Sequence, residues 1–119
     1  MDFNVIKDNG AFLRAYRKGG FSACKCVSVY FVKNNLPLLR MGITASKKIG
    51  NAVIRNRCKR IIRAAWRESL NQFPEGFDFV ILAREGCHLF KSTDVAKHLQ
   101  GKVKADFERF LRARPKQNK

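Results

Sequence analysis

Ser46-Lys47-Lys48-Ile49-Gly50-Asn51-Ala52-Val53-Ile54-Arg55-Asn56-Arg57-Cys58-Lys59-Arg60 is the stretch from which the rest of the chain can be read. Gly50 breaks a strand-like segment. Asn51 is a residue type that caps helices, because its side-chain oxygen accepts a backbone N–H two or three residues on. The spacing beyond it predicts a helix over about Asn51 to Leu70. At 3.6 residues per turn, Ile54, Cys58, Ile61, Ile62 and Ala65 gather on one face. Arg55, Asn56, Arg57, Lys59, Arg60, Arg63 and Arg67 fan over the remainder. Such a helix buries one stripe and shows cations everywhere else.

Working outward, Leu38 to Ser46 reads as a strand with Leu39, Met41, Ile43 and Ala45 on one face. Phe21 to Val32 also alternates, placing Phe21, Ala23, Val27, Val29 and Phe31 together and Cys24, Cys26, Ser28 and Tyr30 opposite. Asn34-Asn35 and Pro37 supply a turn between the two, which predicts an antiparallel hairpin. Before them, Phe12, Leu13 and Tyr16 recur at helical spacing between Lys7 and Lys18, and Gly19-Gly20 ends that run. After Pro74-Glu75-Gly76 a third strand is expected from Phe77 to Arg84, with Phe77, Phe79, Ile81 and Ala83 inward. A last helix is expected from about Thr93 to Arg114, with Trp66, Phe107 and Phe110 in the core. The order α-β-β-α-β-α defines an α+β domain over residues 1–114, a mixed sheet packed by helices, followed by a loose basic tail at 115–119. A right-handed crossover is the physical default for the central β-α-β unit.

Charge narrows the partner. The chain carries 25 Lys and Arg against 9 Asp and Glu, a net charge of +16. From Asn9 to Arg67 there is no acid at all, and fourteen cations. A folded surface with that imbalance repels itself and suits a polyanion, with nucleic acid as the expected class. A membrane surface fits less well, since the cations alternate with core positions and flank no Trp- or Leu-faced amphipathic anchor. Arg55, Arg57, Lys59, Arg60, Arg63 and Arg67 have no acid one turn on to pair with until Glu68, so they repel along the helix unless a partner neutralises them. Guanidinium forks match phosphate oxygens and stack on bases, and a helix N-terminus offers unpaired N–H groups to phosphate. Asn56, set between two arginines, carries both a donor and an acceptor suited to a base edge or a 2′-hydroxyl.

Other chemistry is poorly supported. His88 and His98 fall outside the basic block, and the carboxylates are scattered rather than paired, so neither acid–base nor two-metal catalysis has a constellation. Cys24, Cys26, Cys58 and Cys87 lack the spacing of a zinc site and read as buried or half-buried free thiols in a reducing compartment. No metal or other cofactor is expected on the protein. The segment Met1-Asp2-Phe3-Asn4 has none of the regions of a signal peptide, so a cytoplasmic protein is expected. A helix-turn-helix pair or dimer zipper for DNA is likewise missing.

The run from Arg40 to Arg63 resembles the signature of the bacterial ribonuclease P protein family: Arg40, Gly42, Ser46-Lys47-Lys48, Gly50, Ala52-Val53, Arg55-Asn56-Arg57, Lys59-Arg60 and Arg63. Weaker similarity at Phe12, Tyr16, Gly19, Tyr30 and Phe79 to Arg84 extends it over about residues 8 to 113. Phe3 to Lys7 departs from the Arg-rich stretch many relatives carry, and so does Glu85 after Arg84.

The resemblance implies an α-β sandwich like certain ribosomal-protein domains, with a left-handed crossover in place of the default. It implies a catalytic RNA partner, one protein per RNA, that uses Mg2+ to release the 5′ leader of precursor tRNA. It makes Ser46, Lys47, Lys48, Asn51, Arg55, Asn56, Arg57, Lys59, Arg60 and Arg63 RNA-binding residues, with the Arg55-to-Arg60 helix near the cleavage site. The single-stranded leader is then expected in a cleft between the sheet and the first helix, at Phe12, Arg14, Tyr16, Lys25 and Tyr30. Rings beside cations suit single strands there, because bases stack while phosphates find charge. The alternative is a structural RNA binder of the ribosomal-protein kind, which shares the charge but does not stimulate leader cleavage.

Overall fold

The computed structural model describes residues 3–113, so the expected tail at 115–119 lies outside the described residues. Its elements are β1 (Asn4–Val5), α1 (Asn9–Lys18), β2 (Gly20–Ala23), β3 (Val27–Lys33), β4 (Leu39–Thr44), α2 (Ala52–Ser69), β5 (Phe77–Ala83), α3 (Ser92–His98) and α4 (Lys104–Ala113). The sheet runs β1-β4-β5-β3-β2, with the β1–β4 and β4–β5 pairs parallel and the β5–β3 and β3–β2 pairs antiparallel. The α+β class with a mixed sheet is as expected.

Three features differ from the sequence reading. A two-residue β1 precedes the first helix, so the order is β-α-β-β-β-α-β-α with the last helix interrupted. The expected single strand from Phe21 to Val32 is two strands that fold back on each other through a turn at 24–26, pairing Phe21 with Tyr30. The expected hairpin between the strands at 27–33 and 39–44 does not form, because β5 inserts between them: Tyr30 and Gly42 both pair with Val80. Burial decides this arrangement. All of Phe77 to Ile81 is buried, and such a run belongs in the middle of a sheet covered on both faces.

One face carries Val29, Phe31, Met41, Phe79 and Ile81 against Ile62, Trp66, Leu99 and Phe107 of the later helices. Phe107 lies at the centre of this core, with ring centroids 5.0 to 5.5 Å from Phe31, Phe73, Phe77 and Phe79. Val95, Leu99, Val103 and Phe107 are all buried, yet steps of four residues drift about 40° each around an α-helix. A π-helical segment, Leu99–Val103, separates α3 from α4 and absorbs that drift by taking more residues into the turn. The other face is smaller: Ile6, Val32 and Val80 meet Ala11 and Ala15 of α1. Alanine at these two positions lets α1 lie close to the sheet and leaves its large apolar residues at the rim.

Polar groups lock the layers. Asp78 of β5 is fully buried and takes a two-pronged guanidinium from Arg40 of β4, at 2.8 and 2.7 Å, plus the Asn34 amide at 2.8 Å. Ser22 donates to Asp106 of α4 at 2.6 Å, and together with Arg109 and Lys102 holds that carboxyl down at about 2. Among the described residues no helix is long and apolar enough to cross a membrane.

Candidate nucleic-acid interface

The turn that launches α2 is built by residues expected to touch RNA. Lys47–Ile49 form one 3-10 turn with Lys47 and Lys48 exposed, ended by Gly50 at φ 147°. A Cβ there would sit within 3.0 Å of the Ile54 side chain, so both the backbone angle and the space call for glycine. Asn51 accepts from the Ile54 N–H at 3.0 Å, the expected cap, and Arg55 donates to the Gly50 carbonyl at 3.0 Å. These two side chains therefore hold the turn as well as offering their remaining donors. The amides of Ala52 and Val53, in the first turn, have no partner within the helix, and both residues are exposed.

Beyond the turn α2 presents two rows. Asn56, Arg57 and Arg60 are exposed. Arg55, Lys59 and Arg63 are half-buried and follow one another at one-turn spacing along the border of the buried stripe. Among the described residues, Lys47, Lys48, Arg57, Lys59, Arg60 and Arg63 form no ion pair, whereas Lys102, Lys104 and Arg109 on the last helix all do. Arg67 stands 5.5 Å from the centre of the Phe3 ring.

The border row opens onto the sheet edge. Lys59 and Arg63 line a cavity of about 160 Å3 with Phe3, Ile6, Phe12, Met41 and Gly42. Because β1 covers β4 only at Arg40 and Met41, the edge from Gly42 to Thr44 has no strand beside it on that side. Gly42 has a specific reason to be glycine: a Cβ would come 2.6 Å from the Phe12 ring, which lies against the strand there. Phe12 also lines a second, more open hollow of about 370 Å3 with Asn9, Leu13, Tyr16 and Thr44. Tyr16 meets Tyr30 edge to face at 5.1 Å, and Tyr30 meets Phe21 at 4.9 Å. The two hollows thus share Phe12, with Lys59 and Arg63 in the first, Tyr16 in the second and Tyr30 against Tyr16.

Two expected cleft residues are not brought there. Arg14 is half-buried on α1, about 200° of helical rotation from both Phe12 and Tyr16, and so on the other flank. Lys25 is exposed in the turn between β2 and β3, four residues and roughly 13 Å along the strand from the Phe21–Tyr30 pair. Phe21 is the residue that the sequence reading misses. A continuous strand puts it in the core with Val29. The turn at 24–26 resets the alternation, so its half-exposed ring joins Tyr30 instead.

A basic α+β sandwich with a helix rich in exposed cations beside a row of aromatic rings defines an RNA-binding class of protein. Residues 2–112 match the family model described as Ribonuclease P. The chain is 42% identical to the ribonuclease P protein component of a Bacillus cereus strain over 79% of its length and 83% of that protein's. It is 43% identical to that of Pelotomaculum thermopropionicum, over 68% and 72%. The structure superposes on the Staphylococcus aureus RNase P protein with a TM-score of 0.72 at 32% identity, covering 85% and 93% of the two chains. On the Thermotoga maritima RNase P protein the TM-score is 0.73 at 26% identity, covering 86% and 96%. The chain belongs to the ribonuclease P protein component family. It is a subunit of an endoribonuclease holoenzyme that processes the 5′ leader of tRNA, its partner is the ribonuclease P RNA, and that RNA carries the catalysis.

Proposed function

We propose that α2, Lys59 and Arg63 included, and the Lys47–Lys48 turn bind the ribonuclease P RNA while the surface from Phe12 past Tyr16 to Tyr30 holds the single-stranded 5′ leader of precursor tRNA. The observation that carries this reading is a chain of neighbours, two hollows that share Phe12 and a Tyr16 ring that meets Tyr30. Unpaired cations border one end, three aromatic rings follow, and an uncovered strand edge lies between. Cations hold phosphates without regard to sequence, while rings stack on any base. This combination suits leaders of varied sequence. One protein per RNA and a cytoplasmic location complete the reading.

Magnesium is assigned to the RNA. Among the described residues no group of three carboxylates or histidines converges to hold a hard cation. Asp78 is spent on Arg40, and Asp106 on Ser22 and Arg109. The protein's part is to supply charge and position.

Tyr30→Ala should weaken holoenzyme binding of leader-bearing precursor by roughly 5- to 150-fold, the span expected for one lost stack of about 1–3 kcal/mol. Binding of mature tRNA should not change, and Tyr30→Phe should keep the preference for precursor. Equilibrium binding of both substrates to reconstituted holoenzyme measures this. Equal losses for precursor and mature tRNA would remove the leader from this surface.

A further inference from the structure

Away from that surface, two thiols and an imidazole from distant parts of the chain converge. The turn between β2 and β3 carries Cys24 and Cys26, and His98 is the last residue of α3. The two sulfurs and one ring nitrogen all lie within 4.8 Å of one another, and the sulfurs are 3.5 Å apart. We propose that Cys24, Cys26 and His98 bind one soft divalent cation of the zinc class, with the fourth tetrahedral position left to water or another small ligand.

The distances carry this assignment. Zinc takes sulfur at about 2.3 Å and imidazole nitrogen at about 2.0–2.1 Å, so the edges of a tetrahedral site run at about 3.5–3.8 Å. The S–S separation of 3.5 Å is within about 0.3 Å of its edge, and no separation has to close by more than about 1.3 Å. The donor set selects the ion as well, since two thiolates and an imidazole suit zinc and its neighbours rather than magnesium or calcium.

The turn is braced from outside. Cys24 N–H donates to the Val27 carbonyl at 2.9 Å, the Arg84 N–H to the Cys26 carbonyl at 3.0 Å, and the Arg84 guanidinium to the Cys24 carbonyl at 2.8 Å. His98 stands immediately before the π-helical segment Leu99–Val103, and such interruptions are frequent at functional sites. Cys26 is buried while Cys24 and His98 are half-exposed, so an ion can enter and keep one open position. The sequence conceals this site because C-x-C is not a zinc spacing by itself and its third donor arrives only with the fold. Bound metal would tie the turn bearing Lys25 to the end of α3. That turn lies at the end of the sheet where β4 leaves toward Lys47 and Lys48, since Ser28 and Thr44 both pair with Leu82.

The test uses the reduced, untagged full chain without RNA and Co2+ as the optical probe. One Co2+ per chain should give thiolate charge-transfer and tetrahedral ligand-field bands, and Zn2+ should abolish both. Cys24→Ser and His98→Gln should each weaken binding by more than the roughly 10–100-fold typical of losing an outer-sphere partner. His88→Gln, at the chain's other histidine, should leave binding unchanged. In the wild-type protein, Zn2+ should protect Cys24 from alkylation, read by mass spectrometry, which requires no variant to fold. Charge-transfer bands missing from the wild type, bands that persist in both ligand variants, or alkylation of Cys24 indifferent to Zn2+ would each overturn the site.

Discussion

Arg40→Met is expected to lower the free energy of unfolding by about 3–5 kcal/mol, the cost of leaving a buried carboxylate without its partner. Arg40 and Asp78 are directly opposed on β4 and β5. The Asp78 side chain has no exposure to solvent, and that of Arg40 only 17%. Asn34 alone remains to Asp78 in the variant, and one neutral amide does not offset the desolvation of a charge. The reverse change should cost less. Asp78→Asn leaves the guanidinium, which already reaches solvent, and removes the buried anion. The double variant Arg40→Met/Asp78→Leu should recover part of the loss, because an apolar pair of similar volume replaces a buried ion pair at little net cost. Denaturant unfolding of the three variants measures this. A loss below about 1 kcal/mol for Arg40→Met would show that Asp78 is not held as described. Arg40 belongs to the stretch that carries the family resemblance, and the structure gives it a reason that involves no RNA. It neutralises the buried acid on the central strand.

The second large effect is on RNA. Arg57→Ala together with Lys59→Ala should weaken binding of the ribonuclease P RNA by roughly 30-fold near 0.15 M salt. Each lost phosphate contact removes about 0.9 from the slope of log affinity against log salt, so the plot should flatten by about 1.8. Neither side chain has an acidic partner among the described residues, so their removal takes charge from the interface without freeing a carboxylate. Lys102→Ala is the matched control. That lysine is paired with Asp106 at 3.0 Å on the last helix, and its loss should leave the slope as it was. An unchanged slope in the double variant would move the RNA off α2.

What the sequence made legible is local. The Asn51 cap, the buried stripe of α2 and the shared face of Leu39, Met41 and Ile43 follow from spacing within a few residues, and the structure reproduces them. The cations of α2 stand out because no acid lies one turn away. What the sequence hid is set by contacts between distant segments. A two-residue strand has too few positions to show a period, so β1 is silent. The alternation from Phe21 to Val32 survives on paper because the turn at 24–26 occupies an odd number of positions that no Gly or Pro marks. It nonetheless moves Phe21 from the face of Val29 to that of Tyr30. The position of β5 between β3 and β4 depends on α1 covering its second face, which no single segment encodes. Arg14 and Lys25 were placed by proximity in sequence to aromatic residues, and helical rotation and strand length carry them away.

The protein is expected to act with a catalytic RNA on leader-bearing precursor tRNA. The most direct test is cleavage of a precursor tRNA by bacterial ribonuclease P RNA at low Mg2+, with and without the protein. Strong stimulation is expected, with the cut at the mature 5′ end, as the cations of α2 replace part of the screening that Mg2+ otherwise supplies. Tight RNA binding without stimulation, across ribonuclease P RNAs of several structural types, would contradict it and make the protein a structural RNA binder.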